Sequence, residues 1–265
     1  MSDPFQDIDS GGADFVKAIG DALELRAAEP IMQNIVDSYL AELACPDDGL
    51  HVEIGTGTGA IARKMAAHAG NGTVIGSDLS PGLIGYAQAM ETNPENLSFE
   101  VATGADLRFE DASVDTVIMH TVLSHVPDPS NVLDEAARVL KPGGRLVVCD
   151  GDFSKGSLGN VSGDPFNAFA EYFADNFVTD KYLVGKLRGL VSAAGFTIRS
   201  FGVTTRIITE GLGGMNWVAL GGQMMVDRGL IGQAVLDAMI GEYHRRMEAK
   251  TLYGFQPFAT MIADR

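Results

Sequence analysis

Residues 50–59 read LHVEIGTGTG, an apolar run that ends at an acidic residue and continues into three glycines at alternate positions. From Ala60 onward the apolar residues recur at helical spacing. This order predicts a buried strand, a tight turn and the N-terminus of a helix. Gly55 and Gly57 have no Cβ and accept positive φ, so a ligand can approach the backbone of the turn closely.

A second predicted strand, residues 73–78, ends at Asp78. Asp78 follows the glycine turn by about 20 residues, where nucleotide-binding α/β proteins place an acceptor for the ribose hydroxyls. The glycine spacing is G-x-G-x-G with Glu53 just before it, whereas dinucleotide-binding folds have G-x-G-x-x-G. The two features together predict a nucleoside site that is not the dinucleotide type.

A set of motifs in residues 50–150 resembles the class I S-adenosylmethionine (SAM) dependent methyltransferases. The motifs are EIGTGTG at 53–59, DLS at 78–80, LRFEDASVD at 107–115, VLSHVPDP at 122–129 and RVLKPGGR at 138–145. They occur in the order that the family has, which makes the match specific. The resemblance implies SAM as the cofactor and an α/β fold with a Rossmann-like, seven-stranded, mostly parallel sheet and helices on both faces.

The wider sequence pattern agrees with this fold, because predicted strands alternate with predicted helices. Further strands are predicted at 97–102, 114–120, 145–150, 196–208 and 255–263. We divide the chain into an N-terminal helical cap at 1–45, a SAM-binding core at 46–210, a helical lid insertion at 211–252 and a final core strand at 253–265. Residues 1–13 are polar and glycine-rich, and we predict that they are mobile; residues 45–49 should form a turn.

The insertion between strands six and seven contains many glycines and methionines and a predicted helix at 230–252. Glycines allow a segment to hinge, and methionines form adaptable apolar walls. We therefore expect the insertion to form one wall of the acceptor pocket, opposite His120. Packing into an ordinary core is the alternative interpretation.

The resemblance assigns cofactor contacts to the carboxyl ends of the first four strands. Asp78 would accept hydrogen bonds from the ribose, and Leu79 would lie against the adenine. Where the family commonly has an acidic residue for the adenine amino group, this chain has Thr103, so backbone groups, the Thr103 hydroxyl or Asp106 would replace it. Arg26 and Gln33 would reach the methionine carboxylate if the N-terminal helices close over the site. The full predicted cofactor set is Glu53, Gly55, Thr56, Gly57, Gly59, Asp78, Leu79, Thr103, Gly104, Ala105, His120, Arg26 and Gln33.

Three residues are candidates for catalysis: His120, His125 and Asp150. They follow the predicted fourth and fifth strands, whose ends face the crevice. A hydroxyl acceptor needs a general base, and a histidine suits that role. Other roles stay open, since His120 could contact the SAM tail and His125 could support its loop.

Composition restricts the class of protein. The net charge of -16 argues against a nucleic-acid substrate. The only cysteines, Cys45 and Cys149, form neither a disulfide framework nor a metal-ligand pattern. The sequence shows no signal peptide and no apolar run long enough for a membrane span, so we expect a cytoplasmic protein without a membrane partner. A homodimer is left open.

The sequence therefore favours a SAM-dependent methyltransferase that acts on O, N or C of a small, partly apolar molecule. The residues after strand four, His120-Thr121-Val122-Leu123, lack the Asn/Asp-Pro-Pro-Tyr motif of amino-methylating enzymes, which disfavours DNA or protein amide methylation. Two alternatives are kept. One is an enzyme of this fold that catalyses a non-methylating reaction such as cyclisation, and the other is a non-catalytic SAM-binding protein.

Overall fold

The computed structural model describes residues 3–46, 48–211 and 213–265. Within these ranges the chain forms nine α-helices and one seven-stranded sheet of order β3-β2-β1-β4-β5-β7-β6. The strands are β1 Leu50–Ile54, β2 Thr73–Asp78, β3 Leu97–Val101, β4 Val114–His120, β5 Leu140–Gly151, β6 Thr197–Ile208 and β7 Gly254–Asp264. The helices are α1 Gly12–Ala27, α2 Pro30–Leu40, α3 Ala60–His68, α4 Pro81–Gln88, α5 Pro129–Val139, α6 Pro165–Asn176, α7 Leu183–Ala193, α8 Met215–Asp227 and α9 Gln233–Glu248.

The sheet is mostly parallel, as the sequence predicted. Strands β1 to β5 pair in parallel, and β7 lies antiparallel between β5 and β6. The strand order reverses at β1, which has β2 on one side and β4 on the other. Ligands of open α/β sheets bind in the crevice beyond the carboxyl ends of the strands at such a reversal.

Both faces of the sheet are covered because its central strands are apolar on both sides. Val117 and Ile118 are neighbours in β4, are fully buried, and belong to two different core clusters on opposite faces. The cluster around Val117 includes Leu133 of α5 and Leu187 of α7. The cluster around Ile118 includes residues of α2 and α3.

The insertion contains two helices, whereas the sequence pattern predicted one. Helix α8 was missed, and it packs with α6 and α9 in a third apolar cluster that includes Phe169 and Trp217. Gly221 and Gly222 lie inside α8, where a Cβ on Gly221 would be 3.0 Å from the Phe169 carbonyl oxygen and one on Gly222 would be 2.7 Å from Phe169 Cε1. These two glycines permit close helix packing, so their predicted role as a hinge is wrong. Leu212 lies outside the described residues.

The N-terminal residues are ordered against the rest of the protein. Residues 3–11, which we call the strap, form two short 3-10 helices, and Asp3 and Ile8 are buried. The prediction of mobility is therefore wrong for these residues, because their polar side chains find partners within the fold. Met1 and Ser2, and Asp47 of the predicted turn, lie outside the described residues.

Arg206 joins three distant parts of the chain. Its guanidinium donates to both carboxylate oxygens of Glu29, in the link between α1 and α2, and to the carbonyl of Gly213, 3.2 Å away, at the start of the insertion. Arg206 is only 3% exposed. This buried ion pair fixes the N-terminal helices and the insertion to β6.

No helix in the described ranges is long and apolar enough to cross a membrane.

His51 is a buried polar residue of β1. Its exposed fraction is 0%, and within the described residues neither ring nitrogen has a hydrogen-bond partner. Burial lowers the pKa of His51 below the ordinary histidine value, although the nearby Asp115 carboxylate opposes this shift. The folded state therefore holds His51 neutral at a pH where the unfolded chain binds a proton.

We predict that His51 makes folding sensitive to mild acid. Stability from its lowered pKa is present above about pH 6.5, the unfolded value, and is lost as the pH falls below it. His51→Leu should make the slope of unfolding free energy against pH shallower, by at most about 1.4 kcal/mol per pH unit for one proton. Urea unfolding at several pH values measures the slope. His244→Leu, which replaces an exposed histidine of α9, is the control; equal slopes in His51→Leu and wild type would contradict the prediction.

Candidate cofactor and active site

A cavity of about 390 Å³ lies at the carboxyl ends of β1, β2 and β4 and is covered by α1 and the strap. Its wall contains most of the residues that the sequence predicted for the site: Arg26, Glu53, Gly55, Thr56, Gly57, Asp78, Leu79, Thr103, Gly104, Ala105, His120 and His125. Gly59, Gln33 and Asp150 are not part of the wall. Described residues of the insertion are also absent from it, so the predicted wall opposite His120 is wrong for this cavity.

The glycine turn after β1 has left-handed backbone geometry. Gly55, Gly57 and Gly59 have φ of 69°, 54° and 78°. A Cβ on Gly55 would lie 2.5 Å from Val122 Cγ2, and one on Gly59 would lie 2.5 Å from Phe99 Cε1. Glycine is therefore needed at both positions, and Gly59 acts by starting α3 and packing on β3 rather than by contacting a ligand.

Asp78 ends β2 beside this turn. Its Oδ2 accepts a hydrogen bond from the Gly57 amide at 2.8 Å, and its Oδ1 accepts from the Ser80 amide at 2.9 Å. Burial raises the pKa of Asp78, and these backbone hydrogen bonds oppose the shift. A carboxylate has about four acceptor positions, so Asp78 can organise the turn and still accept from a ribose.

Glu53 lies beneath the turn and is 1% exposed. Thr56 donates its hydroxyl to Glu53 Oε2 at 2.6 Å, as expected for a residue that fixes the turn. Burial raises the pKa of Glu53 to about 8, against the hydrogen bonds from Thr56 and from the Ala62 amide. Glu53 is therefore mostly protonated at neutral pH, and a cation in the cavity would favour its ionised form.

The end of the cavity next to β3 is formed by residues 103–105 and Leu79. The Thr103 hydroxyl accepts a hydrogen bond of 3.4 Å from the Ala105 amide. Asp106, the predicted substitute for the family's acidic residue, is exposed and outside the wall. Leu79 is 56% exposed although it lines the cavity, so it offers an apolar surface to a flat ring.

Arg26 of α1 supplies a cation at the other end. Its guanidinium donates to Thr121 Oγ1 at 3.3 Å, the one hydrogen bond that the structure gives it within the described residues. Burial, with the nearby Arg206, lowers its pKa to about 10, so Arg26 stays charged at neutral pH. Gln33 instead donates its amide to the Ala27 carbonyl and supports α1 from outside the wall.

His120, at the end of β4, is 6% exposed and faces the cavity. Its Nδ1 lies 3.1 Å from the hydroxyl oxygen of Tyr39, which is 1% exposed. Burial, together with the charge of Arg26, lowers the pKa of His120 to about 3, so the ring is neutral and weakly basic at neutral pH. The next residue, Thr121, has a φ of 59°, which is strained for a residue other than glycine. This backbone conformation turns the chain sharply after His120.

His125 and Asp150 differ in position. His125 contributes to the wall, and its Nδ1 lies 2.8 Å from Asp3 Oδ2 of the strap. Asp150 accepts from the Ser124 hydroxyl at 2.7 Å and from the Gly151 amide at 2.9 Å, and it holds the loop after β4 from behind the cavity. The structure therefore gives Asp150 a supporting position rather than the predicted catalytic one.

Sequence reasoning missed Tyr39 and the strap. The strap adds Phe5, Gln6 and Ile8 to the wall. Tyr39 stands at an apolar position of an amphipathic helix and has no motif around it, so only the fold reveals its contact with His120.

A family model described as a methyltransferase domain matches residues 52–148. The demethylmenaquinone methyltransferase of Tropheryma whipplei (strain Twist) is 34% identical over 125 residues, 45% of this chain and 51% of that protein. The chain spans about half the length of the curated relatives that it matches first.

Two solved structures share the fold. The YcgJ protein of Bacillus subtilis has a TM-score of 0.61 and 19% identity, and the match covers 88% of this chain and 97% of that one. The [4+2]-cyclase SpnF has a TM-score of 0.55 and 21% identity, and the match covers 88% of this chain and 81% of that one. At these identities the structural likeness establishes the fold alone.

Asp78→Ala should weaken binding of S-adenosylhomocysteine by about 10- to 150-fold, or ~1.5–3 kcal/mol, because it removes a charged acceptor and releases the Gly57 amide. Titration calorimetry measures the affinity. Asp106→Ala removes an exposed carboxylate at the same edge of the sheet and should bind as the wild type does. Wild-type affinity in a folded Asp78→Ala variant would show that the carboxylate does not face the ligand.

Proposed function

We infer that this chain is a class I SAM-dependent methyltransferase, and we propose that it transfers the methyl group of SAM to an O, N or C atom of a small, partly apolar molecule. The observation that carries the proposal is one cavity with a glycine turn and Asp78 in its middle and the Arg26 cation at one end. Such a cavity complements a ligand that has a ribose at its centre and a carboxylate at one end.

The wall has a fitting group for each part of SAM. Asp78 would accept from the ribose, the backbone of residues 103–105 with Leu79 would hold the adenine, and Arg26 would pair with the methionine carboxylate. Glu53 adds a carboxyl group that ionises more readily when a cation is close. These groups support a SAM site in this cavity, although Thr103 stands where an acidic residue is usual in the family.

When bound, SAM would supply a methyl group on a positively charged sulfur to an electron-rich O, N or C atom of the acceptor. The protein's contribution is alignment and exclusion of water, which can provide much of the rate in such a displacement. Phe5, Ile8 and Leu23 give the covered side of the cavity an apolar surface. This surface, and the net charge of -16, support a small and partly apolar acceptor rather than a nucleic acid.

A non-methylating reaction is the second candidate. The cyclase SpnF shares this fold, and Gly55, Gly57 and Asp78 would serve to bind SAM in either case. The two functions differ in their products, since only methyl transfer adds a methyl group to the acceptor and releases S-adenosylhomocysteine.

The test is an incubation with trideuteromethyl-SAM and a panel of low-mass phenols, alcohols, carboxylic acids and amines, followed by mass spectrometry. We expect one labelled methyl group in an acceptor and an equal amount of S-adenosylhomocysteine, and no labelled product with Asp78→Ala at limiting SAM. S-adenosylhomocysteine should also raise the melting temperature, because it binds the native state, while NAD and NADP should not. A product of unchanged methyl content, or stabilisation by NAD alone, would overturn the proposal.

A further inference from the structure

The strap is fixed to the protein through a buried carboxylate. Asp3 is 5% exposed and accepts four hydrogen bonds. The donors are the amide of Phe5 at 2.9 Å, the amide and hydroxyl of Thr179, both at 2.9 Å, and Nδ1 of His125 at 2.8 Å. Gln6 adds a hydrogen bond of 2.7 Å to the Thr179 hydroxyl. Asp3 therefore connects the cover of the cavity to a histidine in its wall.

This contact determines the tautomer of His125. An ionised carboxylate only accepts hydrogen bonds, so Nδ1 of His125 carries the proton. The second ring nitrogen, Nε2, then has a free lone pair, and the structure gives it no hydrogen bond within the described residues. His125 is part of the cavity wall, so it presents a proton acceptor to a molecule bound there.

His120 has the opposite arrangement. Tyr39 has no other hydrogen-bond partner within the described residues, and a buried hydroxyl that merely accepted from Nδ1 would leave its own proton unpaired. Tyr39 therefore donates to Nδ1 of His120, 3.1 Å away, and the proton of His120 is on Nε2. The cavity thus has one histidine that donates and one that accepts, and burial makes the donor a weak base.

We propose that His125 is the general base for methyl transfer to a hydroxyl group, and that Asp3 is its positioning residue, so the base is complete only while the strap covers the cavity. This inference rests on the proposed function, and it narrows the acceptor to a small hydroxyl compound. Of the two histidines that the sequence offered as candidates, it assigns the base to His125.

His125 Nε2 takes the hydroxyl proton, and the oxygen lone pair forms a bond to the methyl carbon. The carbon–sulfur bond breaks, and its electron pair stays on sulfur. The products are a methyl ether, S-adenosylhomocysteine and a protonated His125, which returns its proton to water when the strap opens.

Two carboxylates lie against His125. The ionisable groups placed against it are Asp3 from the strap and Asp150 from β5, and both are carboxylates. The ring of Phe5 lies 4.6 Å from the His125 ring and that of Phe153 lies 6.0 Å away, measured between centroids. The imidazolium formed during the step therefore lies beside two carboxylates and two aromatic rings.

The kinetic test compares a variant of the strap, Asp3→Asn, with a variant of its anchor, Thr179→Val, on the acceptor that the wild type methylates fastest in the labelled screen. Asp3→Asn keeps the size of the side chain and removes its charge, and we expect kcat to fall by about 100-fold or more. The rising limb of its pH–rate profile should move to lower pH, because a negative charge beside the base has been lost. Thr179→Val removes an anchor of the strap but keeps the Asp3–His125 pair, so it should raise KM with kcat within about threefold and leave the limb in place.

The tautomer is measured separately by ¹⁵N NMR of histidine-labelled protein with S-adenosylhomocysteine bound, assigned with His125→Gln and His120→Gln. We expect the proton of His125 on Nδ1 and that of His120 on Nε2. In Asp3→Ala, His125 should lose its preference for Nδ1, and S-adenosylhomocysteine affinity should stay within about tenfold of the wild type.

The outcomes separate the two proposals. If no acceptor is methylated, the proposed function fails, while the tautomer spectra still decide whether Asp3 positions His125. If the wild type methylates a carbon or an amine and no hydroxyl, the hydroxyl class is wrong. A proton on Nε2 of His125 in the wild type, or wild-type kcat and pH profile in Asp3→Asn, would overturn the role of Asp3 and His125.

Discussion

The hydrogen bond from the Gly57 amide to the Asp78 carboxylate, 2.8 Å long, fixes the ends of β1 and β2 to each other. It requires a turn whose backbone amide points across the crevice, and positive φ at Gly55 and Gly57 provides that direction. The same turn begins α3, so the carboxylate, the turn and the helix are positioned by one short segment. The remaining groups of the cavity are added around this frame by β4, α1 and the strap.

Desolvation then acts on Arg26, His120 and Glu53, which face the cavity, with different results. It leaves Arg26 charged with a pKa of about 10, makes His120 neutral with a pKa of about 3, and keeps Glu53 largely protonated with a pKa of about 8. The signs follow from burial, which disfavours the charged form of every group. The cavity therefore holds less negative charge than its acidic side chains suggest, and a bound cation would restore the charge of Glu53.

The sequence predicted the features that depend on neighbouring residues. The strands, the glycine turn and Asp78 follow from apolar periodicity and fixed spacing, and they lie where the pattern placed them except for β5, which begins at Leu140 instead of Arg145. The features that failed depend on contacts between distant parts of the chain. Helix α8 was missed because its buried Gly221 and Gly222 resemble flexible linkers in sequence, although they permit close packing on α6. The strap was expected to be mobile because two of the partners of Asp3, His125 and Thr179, are more than 120 residues away in the chain.

Arg206 gives the insertion an influence on the cavity that it does not line. The guanidinium bonds to Glu29, three residues after Arg26, and to Gly213 where the insertion begins. The placement of α1 over the cavity is thus set partly by a segment on the far side of β6. Substitutions in the insertion can therefore change how long a cofactor stays bound even when every residue that contacts the cofactor is retained. Cofactor affinity and acceptor specificity can then diverge between homologues, because they depend on separate parts of the chain.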